Sequence, residues 1–426
     1  MAWYTQRRPV FTGGNQVQLL RGGRELFPAL VKAIDQARHT VWMANYLTST
    51  EGLAAHVLQA LMAAAERGVA VHLVVDGVGS RDVPEAVWQG LRDSGVELVV
   101  YRPVRGLASL VFNSRNWRRM HLKVCVTDEA QGFVGGINLI DDYYDLAHGW
   151  ASEPRLDYAV QVQGPALTPM QHTVRAMWTR ATVGRDWRDD VIDWIKVPGR
   201  VRRLKRLRNV WQEARLRLTP HEQGHLKAKA HDREPMRCAF VLRDNLRQRR
   251  TIEQASVQAI QQARHRVDIV TPYFYPGRVL KRALRHAAER GVKVRLLLQG
   301  KVDYRIAAVA ARVLYDDLQR HGVRIYEYQA AWLHAKVLCV DDEWATVGSS
   351  NLDPLSMLMN LEGNVIVRDR AFAHTMAEAL ARDFADSVEV PPPVEGPRPG
   401  WWRWRRAAVA WLAKTYLRLA GITGRY

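Results

Sequence analysis

The sequence predicts an α/β protein built as two similar lobes. Three observations carry that prediction: an internal duplication, an Ala-rich helix followed by an apolar strand in each half, and a length sufficient for two cores. The chain has 426 residues, of which 47% are hydrophobic and 25% charged. That is an ordinary globular balance and excludes a disordered or collagen-like chain. At about 150 residues per domain the length favours two or three domains, and lobes of about 180 residues can each bury most of their apolar surface.

The duplication is direct. Gln36-Ala37-Arg38-His39 recurs as Gln262-Ala263-Arg264-His265, 226 residues later, and Ala64-Ala65-Glu66-Arg67-Gly68-Val69 recurs as Ala287-Ala288-Glu289-Arg290-Gly291-Val292, 223 residues later. The period is far longer than that of any solenoid. A short apolar run follows from each Gly-Val pair, VAVHLVV at 69–75 and VKVRLLL at 292–298. Such runs after an Ala-rich helix read as buried strands, and helix-then-strand in each half gives the α/β class. The lobes are placed at 15–185 and 236–390. A basic amphipathic linker (186–235) joins them, and a Pro-rich hinge opens a basic, Trp-rich tail (391–426).

The formal net charge is +19, and it is concentrated: residues 196–233 carry +9 and residues 398–426 carry +7. The rest is nearly neutral. Both segments also have apolar residues at helical spacing, among them Val201, Leu204, Leu207 and Trp211 in the first and Trp404, Ala408, Trp411 and Leu412 in the second. A basic face opposite Trp and Leu fits a helix lying in an anionic membrane interface. A helix packed on the protein with a solvated basic face gives the same pattern, and nucleic acid is the other polyanion that such charge would suit. The interleaved Trp, Leu and Val favour lipid. No run of 18 apolar residues occurs, so no transmembrane helix is expected. The opening MAWYTQRRPVFTGGNQ lacks the apolar core of a secretion signal. Three cysteines (Cys125, Cys238, Cys339) exclude a disulfide framework and fit a reducing compartment. The expected location is peripheral, on the cytoplasmic side of the cell membrane. With neither CxxC nor HExxH in the chain, no metal or cofactor is expected.

The strongest chemical signal lies late in each half. His121, Lys123, Asp128, Gly135, Gly136 and Asn138 recur at identical spacing as His334, Lys336, Asp341, Gly348, Ser349 and Asn351. Five fixed positions at about 1 in 20 each match by chance at about 3×10⁻⁷ per start, or on the order of 10⁻⁴ per chain. A strand through His-x-Lys would put both side chains on one face and turn Leu122, Val124 and Val126 to the core. The Asn after a Gly pair stands where backbone can approach a ligand. Lys and Asn are donors for phosphoryl oxygens as charge builds, and His can be a nucleophile or a proton carrier. One set is half a site. Two sets about a pseudo-twofold axis would place two histidines on opposite sides of one phosphate: one attacks phosphorus, the other protonates the leaving alcohol and then deprotonates the acceptor. The two lysines supply the positive charge that a metal supplies elsewhere. A lone His-x-Lys is usually a surface strand pair, so the weight rests on the repetition. Asp128 and Asp341 read as supporting residues at strand ends rather than as bases.

At these residues the chain resembles the phospholipase D superfamily, with two HxK(x)4D(x)6G(G/S)xN motifs, and within it the bacterial cardiolipin synthases. The second half carries the closest text: TPYFYPG at 271–277, WATVGSSNLDPLS at 344–356 and Asn360-Leu361-Glu362. In the first half Arg119-Met120-His121 and Asp157-Tyr158-Ala159-Val160 also fit. The resemblance spans roughly residues 15–385. The lack of N-terminal transmembrane helices looks more like the type-B enzymes than the type-A. It implies two lobes, each a mixed β-sheet flanked by helices, related by a pseudo-twofold with the active site between them. It implies a phosphatidyltransferase that makes cardiolipin from phosphatidylglycerol through a phosphohistidine, with a second donor lipid left open. It implies an acidic residue after each motif, bonded to a catalytic His. Glu362, eleven after Asn351, fits that place; Asp157, nineteen after Asn138, is displaced by an extra segment. Ser349 faces Gly136 in the alignment of the halves, so a serine contact to phosphate would come from one side only. The residues leave open which His attacks; by analogy it is His121. The alternatives are a hydrolase or a metal-independent nuclease of the same superfamily, and two complete motifs argue against a non-catalytic scaffold. The partners expected are an anionic phospholipid membrane and phosphatidylglycerol, with no nucleic acid.

Overall fold

The structure is a computed structural model and describes residues 7–103, 118–145, 149–183, 236–244, 248–272, 274, 276–301, 315–351 and 360–392. The two basic segments predicted at 186–235 and 391–426 lie outside the described residues, apart from Pro391 and Pro392. The first half runs β1 (Gln16–Arg21), α1 (Gly22–Asp35), β2 (Thr40–Asn45), α2 (Leu53–Glu66), β3 (Ala70–Asp76), α3 (Glu85–Asp93), β4 (Glu97–Tyr101), β5 (Arg119–Met120), β6 (Val124–Thr127), β7 (Gln131–Gly135), β8 (Tyr144–Asp145), β9 (Gly149–Trp150), β10 (Tyr158–Gln163) and α4 (Leu167–Val183). The second half runs β11 (Arg237–Arg243), α5 (Thr251–Gln262), β12 (Arg266–Val270), α6 (Arg278–Glu289), β13 (Lys293–Gln299), β14 (Arg324–Tyr328), β15 (Val337–Val340), β16 (Trp344–Gly348), β17 (Asn360–Arg368), α7 (Arg370–Ala385) and β18 (Val388–Glu389).

Each half forms one mixed sheet, and the two share a strand order. The first is β1-β10-β7-β6-β2-β3-β4 and the second β11-β17-β16-β15-β12-β13-β14, extended by β18. In both, the last three shared strands are parallel and the others antiparallel. The predicted apolar runs are β3 and β13, the central parallel strands.

The repeated sequences have physical explanations. In Ala-Ala-Glu-Arg-Gly-Val the Gly lies just past the helix, at φ +87° in both copies (Gly68, Gly291), where any side chain is disfavoured. Its N–H and that of the following Val close the last turn onto Ala65 and Ala64 in α2, and onto Ala288 and Ala287 in α6. The Arg of the same repeat reaches back to the preceding helix end. Arg67 donates to the Ile34 and Asp35 carbonyls, and Arg290 to those of Ile260 and Ala263. Gln-Ala-Arg-His forms the turn into β2 or β12. There the motif aspartates act: Asp128 accepts the N–H groups of Arg38, His39 and Thr40, and Asp341 those of Arg264, His265 and Arg266. Burial alone would raise both carboxyls, but three backbone donors hold each below the ordinary aspartate range.

Strand alternation sorts the apolar side chains into three cores. Leu73, Val75 and Cys125 face α1 and α2, and Leu296, Leu298 and Leu338 face α5 and α6. Leu122, Val124, Val126 and Val74 point the other way and join Val270, Leu297, Val337 and Val347 in one core shared by both halves. α4 enters it through Met170, Val174 and Met177, and α7 through Phe372, Met376 and Leu380. Each such buried side chain contributes about 1.5–3 kcal/mol. The two sheets are thereby packed on a common interior.

Candidate active site

His121-Leu122-Lys123 and His334-Ala335-Lys336 do not lie within strands, as the i, i+2 pattern predicted. They precede β6 and β15 in extended backbone. The reason is where their backbone groups bond. Each segment leaves its own sheet and pairs with the other half. Met120 lies opposite Leu361, and His121 N–H donates to the Leu361 carbonyl at 3.0 Å. Reciprocally, Leu333 lies opposite Leu156, and His334 N–H donates to the Leu156 carbonyl at 2.8 Å.

That exchange crosses the carboxylates. Glu362 of the second half accepts from His121 Nδ1 at 2.9 Å, and Asp157 of the first half meets His334 Nδ1 at 2.7 Å. Both carboxylates are almost wholly buried, while His334 keeps 22% of its side chain exposed. A carboxylate on Nδ1 fixes the ring and leaves Nε2 for chemistry. Asp157 and Glu362 are structural equivalents: Gly136 N–H donates to the Tyr158 carbonyl as Ser349 N–H donates to that of Gly363. The eight-residue difference in spacing is an insertion that leaves the carboxylate in place.

Charge unites the four motif residues. Burial lowers the His121 pKa, with Lys123 and Lys336 adding to it against the pull of Glu362. Burial and then Lys336 push His334 down to about 3 despite Asp157. Lys123, buried beside Lys336, is well below the usual lysine range. Each lysine thus feels the opposite half. The Asp157 and Glu362 carboxyls, which burial would raise, are held low by their histidines. Lys123 and Lys336 donate to the carbonyls of His121 and His334.

The remaining predicted residues fall into two groups. Asn138 and Asn351 are buried just past β7 and β16, and the Asn138 side-chain oxygen has no partner among the described residues. Ser349 is fully buried. Its hydroxyl donates to Glu362 Oε2 at 2.6 Å and accepts the Gly363 N–H, so it supports the carboxylate. Asp128 and Asp341 sit at the far ends of β6 and β15 from the histidines, capping turns, so they are not phosphate ligands.

Three residues escaped sequence reasoning. Arg243 lies opposite Glu362 in the β11–β17 register and helps hold that carboxyl low. Tyr46 packs its ring edge-on to His121 at 4.8 Å, with Lys123 Nζ 5.2 Å above it. Asp76 holds Arg119 and the Met120 N–H just before His121. None of the three had a local signal; Arg119, the partner of Asp76, did, in the text before the first motif.

Gly136 tests the inequality of the halves. A Cβ there would meet Asp157 Oδ1 at 2.3 Å. The shorter Asp157 carboxylate fills the space that the Ser349 side chain takes beside Glu362. Gly136→Ser is expected to displace Asp157 from His334 and destabilise the protein by about 1–3 kcal/mol. Urea unfolding and turnover together check this; wild-type values in both would refute it.

Two equivalent α/β lobes with crossed His–carboxylate pairs define the phospholipase-D-like class. The same overall fold is seen in the crystal structure of phosphatidylserine synthase from Haemophilus influenzae Rd KW20, with a TM-score of 0.61, 14% identity, and coverage of 98% of this chain and 96% of that one. The sequence matches the family described as "Cardiolipin synthase, PLD-like domain" over residues 30–151 and 256–384, and the chain belongs to that family. It is 34% identical to Cardiolipin synthase B of Salmonella typhi over 400 residues, 93% of this chain and 87% of that protein. It is 34% identical over 402 residues to Cardiolipin synthase B of Escherichia coli strain K12, with the same coverage. Among the described residues no helix is long and apolar enough to cross a membrane.

Proposed function

We propose that this chain is a phosphatidyltransferase that makes cardiolipin from phosphatidylglycerol through a phosphohistidine. The crossed His–carboxylate pairs carry the reading, because they orient two imidazoles from opposite halves in one site that both motif lysines share. His121 Nε2 attacks the donor phosphorus, and the bond to the headgroup glycerol oxygen breaks. His334 supplies the proton that releases glycerol. His334 then takes the proton from a headgroup hydroxyl of a second phosphatidylglycerol, whose oxygen attacks phosphorus and displaces His121. Lys123, Lys336, Asn138 and Asn351 hold the phosphoryl oxygens as charge develops.

Proton bookkeeping supports the scheme. Burial depresses both imidazoles, and the charges of Lys123 and Lys336 add to it. A bound phosphodiester brings a negative charge that offsets the lysines and raises the histidine pKa values. Substrate thereby loads the proton that the leaving alcohol needs, while Asp157 stabilises the imidazolium. The lobes at 15–185 and 236–390 supply the chemistry in this reading. The segments 186–235 and 391–426 hold the enzyme to the cytoplasmic face of the membrane through their basic, Trp-bearing sides.

Purified protein incubated with phosphatidylglycerol vesicles and EDTA is expected to yield cardiolipin and free glycerol. Phosphatidic acid in place of cardiolipin would make it a hydrolase with the same site. No lipid product, with cleavage of single-stranded DNA instead, would overturn the lipid reading.

A further inference from the structure

The insertion between Asn138 and Asp157 has no counterpart in the second half, and its form points outward. Its base is fixed. Asp142 accepts the Gly23 N–H in the first turn of α1, and its carbonyl accepts the Arg155 N–H at 2.9 Å. Its outer part is the β8–β9 ribbon, in which Tyr144 pairs with Trp150. The two rings lie 5.3 Å apart, and Trp150 remains 61% exposed. Arg155 clamps the ribbon through the Tyr144 carbonyl and Asp145, and the Arg24 guanidinium stacks on Tyr143 at 5.0 Å.

The second half also exposes an apolar side chain, on the helix that follows the strand beside its motif lysine. β12 ends at Val270, opposite Val337 and so next to Lys336. The chain then leads to the first turn of α6, where Val279 is 56% exposed between exposed Arg278 and Arg282. Trp150 and Val279 are two of the three large apolar side chains exposed among the described residues; the third, Val388, lies on edge strand β18. An exposed Trp contributes nothing to the core, and aromatic rings with a wet edge favour the headgroup layer of a bilayer. Arginines beside them favour anionic lipid.

We propose that the β8–β9 ribbon, through Trp150, and the first turn of α6, through Val279 and its arginines, form a rim that seats the protein on an anionic bilayer and presents the histidine pair to lipid phosphates. The inference rests on the lipid-transfer reading for its purpose. Its test does not, because binding is read separately from turnover.

The probes are vesicles of phosphatidylglycerol mixed with phosphatidylcholine, vesicles of phosphatidylcholine alone, and short-chain phosphatidylglycerol below its micelle concentration. Trp150→Ala is expected to weaken binding to the anionic vesicles about tenfold and to lower vesicle turnover in step. Turnover of the monomeric lipid should be unchanged, and Trp150→Phe should restore most vesicle binding. A Trp150→Cys variant carrying an environment-sensitive dye should brighten only with the anionic vesicles. The proposal is overturned if the dye stays silent or if Trp150→Ala binds like wild type. It is also overturned if monomeric turnover falls equally, which would make the ribbon part of the site, or if the variant changes oligomeric mass, which would make it a contact between copies. If wild type turns over neither lipid, the transfer reading fails while the dye and binding still judge the rim.

Discussion

His121→Ala and His334→Ala are each expected to lower cardiolipin formation by about 10⁴-fold or more, with little loss of stability. Neither imidazole substitutes for the other, because each is tied at Nδ1 to a carboxylate of the opposite half. Residues that act as one catalytic unit lose most of their effect when either is removed. The crossing adds a sharper expectation. Asp157→Asn acts through His334 although it sits in the first half, and Glu362→Gln acts through His121 although it sits in the second. Removing an orienting carboxylate in a comparable dyad costs about 10⁴-fold. Quenching the reaction in mild base should leave the labelled phosphatidyl group on His121, and Asp157→Asn should slow both its formation and its loss, because His334 serves first as acid and then as base. A wild-type rate in either histidine variant, or label on His334, would contradict this assignment of roles.

What was legible in the chain is what is written locally. The two motifs, the helix-ending Gly68 and Gly291, and the turn sequences around His39 and His265 act within a few residues or recur in step. The mixed α/β lobes followed from the same repetition. Pairings between distant segments could not be read that way. The contact of His121 with Glu362 spans 241 residues, and that of His334 with Asp157 spans 177. The expectation that His-x-Lys lies in a strand failed for this reason: alternation describes side-chain direction and is silent about which backbone is the hydrogen-bond partner. Asp157 was found by resemblance at an awkward spacing, and the register shows why the spacing does not matter. Ser349 was expected as a phosphate contact. Its hydroxyl is instead used up inside the fold, between Glu362 and Gly363. Arg243 had no local signal, because its opposition to Glu362 exists only once β11 and β17 pair.

The same comparison of halves yields the largest stability effect. Asp76, at the end of β3, is fully buried and binds Arg119 through Nε at 2.9 Å and Nη2 at 2.6 Å. It also accepts the Met120 and Val78 N–H groups, each at 2.9 Å, and so fixes the backbone that delivers His121. In the second half the equivalent positions are Gln299 and Trp332, and Gln299 does the corresponding task with a neutral amide, accepting the Leu333 N–H at 2.5 Å. The first half therefore buries an ion pair where the second buries none. Breaking such a pair from one side leaves a buried charge without its partner, at a cost of about 3–5 kcal/mol, whereas removing both charges together is often close to neutral. Asp76→Gln alone should thus destabilise strongly and impair turnover through His121. Asp76→Gln with Arg119→Trp, which copies the second half, should recover most of the stability. Urea denaturation of the two single variants and the double variant measures the coupling directly. Additive losses would mean that Arg119 and Asp76 serve their other partners more than each other, and that the ion pair is incidental to how the first histidine is held.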